Sequence, residues 1–95
     1  MASIGVLTLE LRLEHSHSLK EKRHVVRSLK ERLRGRHNVS VAEIGFHDLW
    51  QRSLVAAVTV SGDRERAGEV LQSVEKEAAA MLGPDLVAAT LEWIE

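Results

Sequence analysis

The chain opens on a strict alternation. From Ile4 to Glu14, leucines at 7, 9, 11 and 13 share one side, and Thr8, Glu10, Arg12 and Glu14 share the other. Period two predicts a strand with one buried face. The period then changes. Leu19, Val26, Leu29 and Leu33, with Val25 on the flank, recur at helical spacing. Ser18 and Glu21 fit a capping box at the helix start, and Gly35 is the expected C-cap. Val39 to Ile44 is rich in β-branched residues and predicts a second strand. Gly45 to Gln51 is a connection. Leu54 to Val60 is an almost unbroken apolar run that predicts a strand buried on both faces. A second helix is expected from about Asp63, its N-cap, to Leu82, with Ala67, Val70, Leu71, Val74, Ala78 and Met81 as its stripe. Gly83-Pro84 ends it. Leu86 to Ile94 is the fourth strand, with Val87, Ala89, Leu91 and Trp93 on one face.

The order is βαββαβ. It predicts an α+β, ferredoxin-like sandwich: a four-stranded antiparallel sheet with both helices on one face. The other sheet face is expected to carry Val55, Ala57, Thr59, Ala88 and Thr90. Such a small apolar surface points to a homodimer or higher oligomer, formed through that face or a sheet edge.

Residues 1–95 form a single domain, since 95 residues suit one modest core. Charged residues make up 28% and no apolar run reaches the ~18–20 residues of a membrane span, so no membrane association is expected. The stretch from Met1 to Glu14 lacks the basic and apolar regions of a signal peptide. With zero cysteines, disulfides, thiolate metal sites and thiol catalysis are excluded, and a cytoplasmic protein is the expectation.

The net charge of −1 conceals a separation. Residues 18–36 hold eight basic and two acidic side chains, a sum of +6, while the remainder holds five basic and twelve acidic, a sum of −7. Lys20, Arg23, Arg27, Lys30 and Arg34 follow one another at intervals of 3, 4, 3 and 4. On a helix they fall within an arc of about 80° and span about 21 Å. Cations in this row repel at i, i+4, and those near the N-terminus oppose the helix dipole. A row kept against these costs points to an anionic partner, most simply the phosphates of structured RNA. Lys22 and Arg52 are expected to flank it. The alternative is a solvated helix face whose stems cover the core edge.

Phe46 to Arg52 gathers two of the three aromatic residues, Phe46 and Trp50, beside His47, Asp48, Gln51 and Arg52. One reading is a binding loop in which Trp50 packs a base or a partner residue while Gln51 and Arg52 hydrogen-bond. The other is a turn whose Leu49 and Trp50 plug the sheet end. Sheet-face stacking of bases is not expected, because strands one and three offer no aromatic residue. His15, His17, His37 and His47 show no metal-ligand spacing, so no metal and no cofactor are expected. No phosphate-binding, dinucleotide or nucleophile motif is present, and no enzyme is expected.

Four motifs in order carry a resemblance: Ser18-Leu19-Lys20-Glu21-Lys22-Arg23, Ser28-Leu29-Lys30, Asn38-Val39-Ser40-Val41-Ala42-Glu43, and Asp48-Leu49-Trp50-Gln51-Arg52. The chain resembles the YlxP-like family of small, uncharacterised bacterial proteins over essentially its whole length. The resemblance implies a ferredoxin-like fold and a ribosome-associated or RNA-binding role, and it supplies no catalytic residue. The functional expectation is a non-enzymatic accessory factor that binds RNA or a ribosomal subunit through its first helix. The rival is a homo-oligomeric module that binds a small anion or an acidic protein partner.

Overall fold

The structure, a computed structural model, describes residues 1–94. Strand β1 (Ser3–Arg12) is followed by helix α1 (Leu19–Arg36), strands β2 (Ser40–Gly45) and β3 (Arg52–Ser61), helix α2 (Arg64–Leu82), a 3₁₀ turn over Gly83–Asp85, and strand β4 (Leu86–Trp93). The strands form one antiparallel sheet in the order β2-β3-β1-β4. The βαββαβ, ferredoxin-like architecture is therefore present, with both helices packed on one face of the sheet.

Alternation decides which face is buried. Leu7, Leu9 and Leu11 of β1 point under the helices and meet Leu29 and Leu33 of α1 and Leu71, Val74 and Ala78 of α2 in one core. Each fully buried leucine stabilises the fold by up to about 1.5–3 kcal/mol before ordering costs. At Gly5 the helix layer comes too close for a side chain. A Cβ there would lie 2.7 Å from Leu71 Cδ1 and 3.0 Å from Trp93 Cζ3.

The outward face of β3 differs from expectation. Leu7 pairs with Ala57 and Leu9 with Val55, so Val55, Ala57 and Thr59 lie beneath the helices and are buried. The outer face instead carries Leu54, Ala56, Val58 and Val60, opposite Glu10, Thr8, Val6 and Ile4. Choosing the other parity exchanges the whole side-chain set. Because both parities of this strand are apolar, alternation could not choose between them. Ala88 and Thr90 do lie on the outer face, opposite Glu10 and Thr8.

Element ends also moved. β1 stops at Arg12, because the chain turns at Glu14 and the Ser16 amide donates to the Leu13 carbonyl. Helix α1 runs through Gly35 and ends at Arg36. His37 is the cap, in extended backbone, with its amide donating to Leu33 and its ring to Glu77. That tertiary bond overrides the local preference for a glycine cap. At the end of α2, Gly83 has φ 57°, a left-handed conformation that glycine adopts without a Cβ penalty.

Candidate functional site

Helix α1 starts as its sequence dictates. The Ser18 hydroxyl accepts from the Glu21 amide at 3.1 Å, and Glu21 reaches back to the His17 amide at 2.8 Å. From this fixed start, the eight cations of the helix divide into two sets. Lys22 pairs with Glu43, and Arg32 and Arg36 pair with Glu77 of α2. Lys20, Arg23, Arg27, Lys30 and Arg34 make no ion pair among the described residues. Four of these five are exposed and Lys30 is half-buried. Arg32 and Arg36 point toward α2, so the free row occupies the flank of α1 turned away from α2.

Lys22 does not flank this row, which corrects the expectation for it. Its side chain is 0% exposed. The ammonium donates to Glu43 Oε2 at 2.8 Å, Phe46 O at 2.8 Å, His47 O at 3.1 Å and, at 3.4 Å, Arg52 O. Leu19, Lys22, Val26, Leu29 and Leu33 continue the 3-4-3-4 core stripe, so the position itself was readable as inward. The missing information was the set of acceptors, which come from residues distant in the chain. Burial pushes the Glu43 carboxyl up. Hydrogen bonds from Lys22 and Ser53 and the Lys22 charge outweigh it and hold the carboxyl below the usual glutamate range.

Lys22 thus gathers the carbonyls of the β2–β3 connection. Phe46 sits in the left-handed region at φ 61°, a conformation costly for an aromatic residue. Three contacts hold it there. Its carbonyl accepts from Lys22 and from the Leu49 amide, and the Arg52 guanidinium lies 4.0 Å above its ring. Neither reading of this loop survives whole. Leu49 and Trp50 do not plug the sheet end: they are 46% and 53% exposed. Gln51 and Arg52 are engaged within the fold, with Arg52 Nε the only buried side-chain nitrogen or oxygen left without a partner among the described residues. The Gln51 amide donates to the Glu14 and Ser16 carbonyls, and Arg52 Nη2 donates to Glu10 Oε2 at 3.0 Å. Leu49 and Trp50 remain as the loop's outward apolar side chains, beside a shallow hollow of about 450 Å³ lined by residues 48–52.

A second ionic centre ties the helices together. Glu77 accepts from His37 Nε2 at 2.7 Å and Arg32 Nε at 2.9 Å, with Arg36 Nη1 at 3.2 Å. The His37 bond, then the two guanidiniums, hold its carboxyl below the usual range against a smaller opposing effect of burial. Among the described residues, no group of three or more His, Cys, Asp or Glu side chains is placed to hold a metal ion. No described helix is long and apolar enough to cross a membrane.

These features define a class first, a small ferredoxin-like α+β domain. The chain superposes on the de novo designed protein Foldit4 with a TM-score of 0.61 at 9% identity, covering 100% of this chain and 98% of that one. A de novo designed protein with a ferredoxin fold, LFR1 1, matches with a TM-score of 0.50 at 13% identity, over 98% of this chain and 83% of that one. At these identities the likeness concerns the fold alone. The sequence then identifies the family. Residues 4–90 match the family described as "Protein of unknown function (DUF503)", and the chain belongs to it. It is 38% identical over 71 residues to the uncharacterised protein YlxP of Bacillus subtilis (strain 168), covering 75% of this chain and 77% of that relative.

Proposed function

We propose that this protein is a non-enzymatic cytoplasmic accessory factor that holds structured RNA, such as a ribosomal subunit presents, on the free cation row of α1. The observation that carries this reading is the division of the helix's cations. The three nearest the core or α2 have carboxylate partners, and the five on the outer flank have none among the described residues. An unpaired row about 21 Å long matches several successive phosphates of a nucleic-acid backbone. Its first members lie at the positive end of the helix dipole, which favours anions. The outer sheet face carries no aromatic side chain, so base stacking on the sheet is not part of this mode of binding. Lys22, the one fully buried ionisable side chain of α1, is saturated by acceptors, and the reading assigns no reacting group.

The test is fluorescence anisotropy of a labelled RNA hairpin at about 50 mM salt, where phosphate contacts are strong. The wild type binds, and its affinity falls steeply as salt rises. The double variant Arg27→Glu/Lys30→Glu, with an unchanged circular dichroism spectrum, does not bind. Absence of wild-type binding at low salt, or an affinity indifferent to salt, would overturn the reading. Capture of only an acidic protein, with no RNA affinity, would establish the rival partner class.

A further inference from the structure

We infer that the open face of the sheet is covered by the same face of a second copy of this chain, making a face-to-face homodimer with both helix layers outside. The inference rests in part on β3, whose outward residues sequence alternation placed wrongly. In register, the outer face runs Val60 beside Ile4, Val58 beside Val6, Ala56 beside Thr8 and Leu54 beside Glu10. Ser40 and Ala42 of β2 extend it past Val58 and Ala56. Glu92, Thr90 and Ala88 of β4 extend it past Val6, Thr8 and Glu10. The centre is therefore aliphatic and free of charge. Charged groups stay at the rim, where Glu10 and Arg52 already neutralise each other at 3.0 Å. Val60 is 56% exposed.

Area and charge select the occupant. Four strands spaced about 4.8 Å apart, from about 20 Å (β2) to about 33 Å (β1 and β3) long, present about 550 Å² in projection. Two such faces together bury up to about 1,100 Å², just over the ~1,000 Å² minimum for a biological interface. Aliphatic sheet faces of this kind pack on one another at about 10 Å, as in sandwiches. A nucleic acid finds neither a cation cluster nor an aromatic platform at the centre of this face. A net charge of −1 leaves two copies with little mutual repulsion. Because the helices lie on the opposite side of the sheet, pairing leaves both free cation rows accessible.

Sedimentation equilibrium at 10–100 micromolar, as an estimate of a working range for weak dimers, tests this. A mass of about 21 kDa, twice the 10.6 kDa chain, is expected, and it should persist in about 1 M NaCl because the contact is apolar. Val58→Glu and, separately, Val6→Glu should each give a monomer whose circular dichroism matches the wild type. Arg27→Glu/Lys30→Glu should remain dimeric. A wild-type monomer throughout this range overturns the inference. So does a dimer that survives both folded glutamate variants, or one that dissociates in high salt, which would assign assembly to the charged helix instead.

Discussion

Lys22 Nζ lies 2.8 Å from Glu43 Oε2 inside the fold, joining the first turn of α1 to the end of β2. The same ammonium holds two carbonyls of the β2–β3 connection within 3.1 Å. One buried cation therefore sets the shape of the loop that displays Trp50. Breaking such a pair by removing one partner costs about 3–5 kcal/mol, because the other charge stays buried. Lys22→Met should destabilise the protein by about that amount in urea denaturation. The double variant Lys22→Met/Glu43→Gln should lose less than the two single losses combined, since the residues share one network.

Acid sensitivity follows from two carboxylates. Glu77, chiefly through the His37 hydrogen bond and then its two guanidiniums, and Glu43, through hydrogen bonds from Lys22 and Ser53 and the Lys22 charge acting against burial, are both held below the ordinary glutamate value. Their contribution to stability is fully present above the unfolded value, about pH 4.3, and is lost as pH falls through the lower folded values. Midpoints of urea unfolding measured from pH 7 down to about pH 3 should fall below about pH 4.3. Glu77→Gln should start less stable and show a shallower fall.

The division of cations on α1 makes opposite forecasts for neighbouring residues. If five contacts reach phosphates of the hairpin, log affinity against log salt should slope between about −3.5 and about −4.5, from about −0.7 per single-stranded and about −0.9 per duplex contact. Arg23→Ala, Arg27→Ala or Arg34→Ala should each reduce the slope by about 0.7–0.9. Arg32→Ala and Arg36→Ala, whose partners lie on α2, should leave the slope unchanged while loosening the helix pair. Equal slopes for both sets would remove the distinction on which the functional reading stands.

Gly5 tests the closeness of α2 and the sheet. Gly5→Ala places a methyl 2.7 Å from Leu71 Cδ1. Overpacking of this kind costs about 1–3 kcal/mol, and the thermal midpoint should fall accordingly. Gly35 has open space around its Cα and sits inside α1. Gly35→Ala should therefore stabilise the protein by about 0.5–1 kcal/mol through helix propensity.

Much of this protein is written in local periodicity. The change from period two at Leu7–Leu13 to 3-4-3-4 at Leu19–Leu33 specified β1 and α1, because a strand and a helix bury different spacings. Ser18 and Asp63 marked both helix starts, since each side chain supplies an acceptor to an amide two or three residues ahead. The free row of cations was legible for the same reason: its geometry depends on one helix alone.

Tertiary structure decided what local spacing could not. Leu54 to Val60 is apolar at both parities, so only pairing with β1 determined that Val55 and Ala57 turn inward and Val58 and Val60 outward. Lys22 occupies a core position whose acceptors lie 21 to 30 residues away in the chain. Gln51 and Arg52 were spoken for by Glu14, Ser16 and Glu10 across the sheet end. A side chain's chemistry is a local property, but whether it remains free depends on partners brought near only by folding. That is why the sequence by itself determined the fold and the cation row, while the structure determined which cations are available and which sheet face lies open.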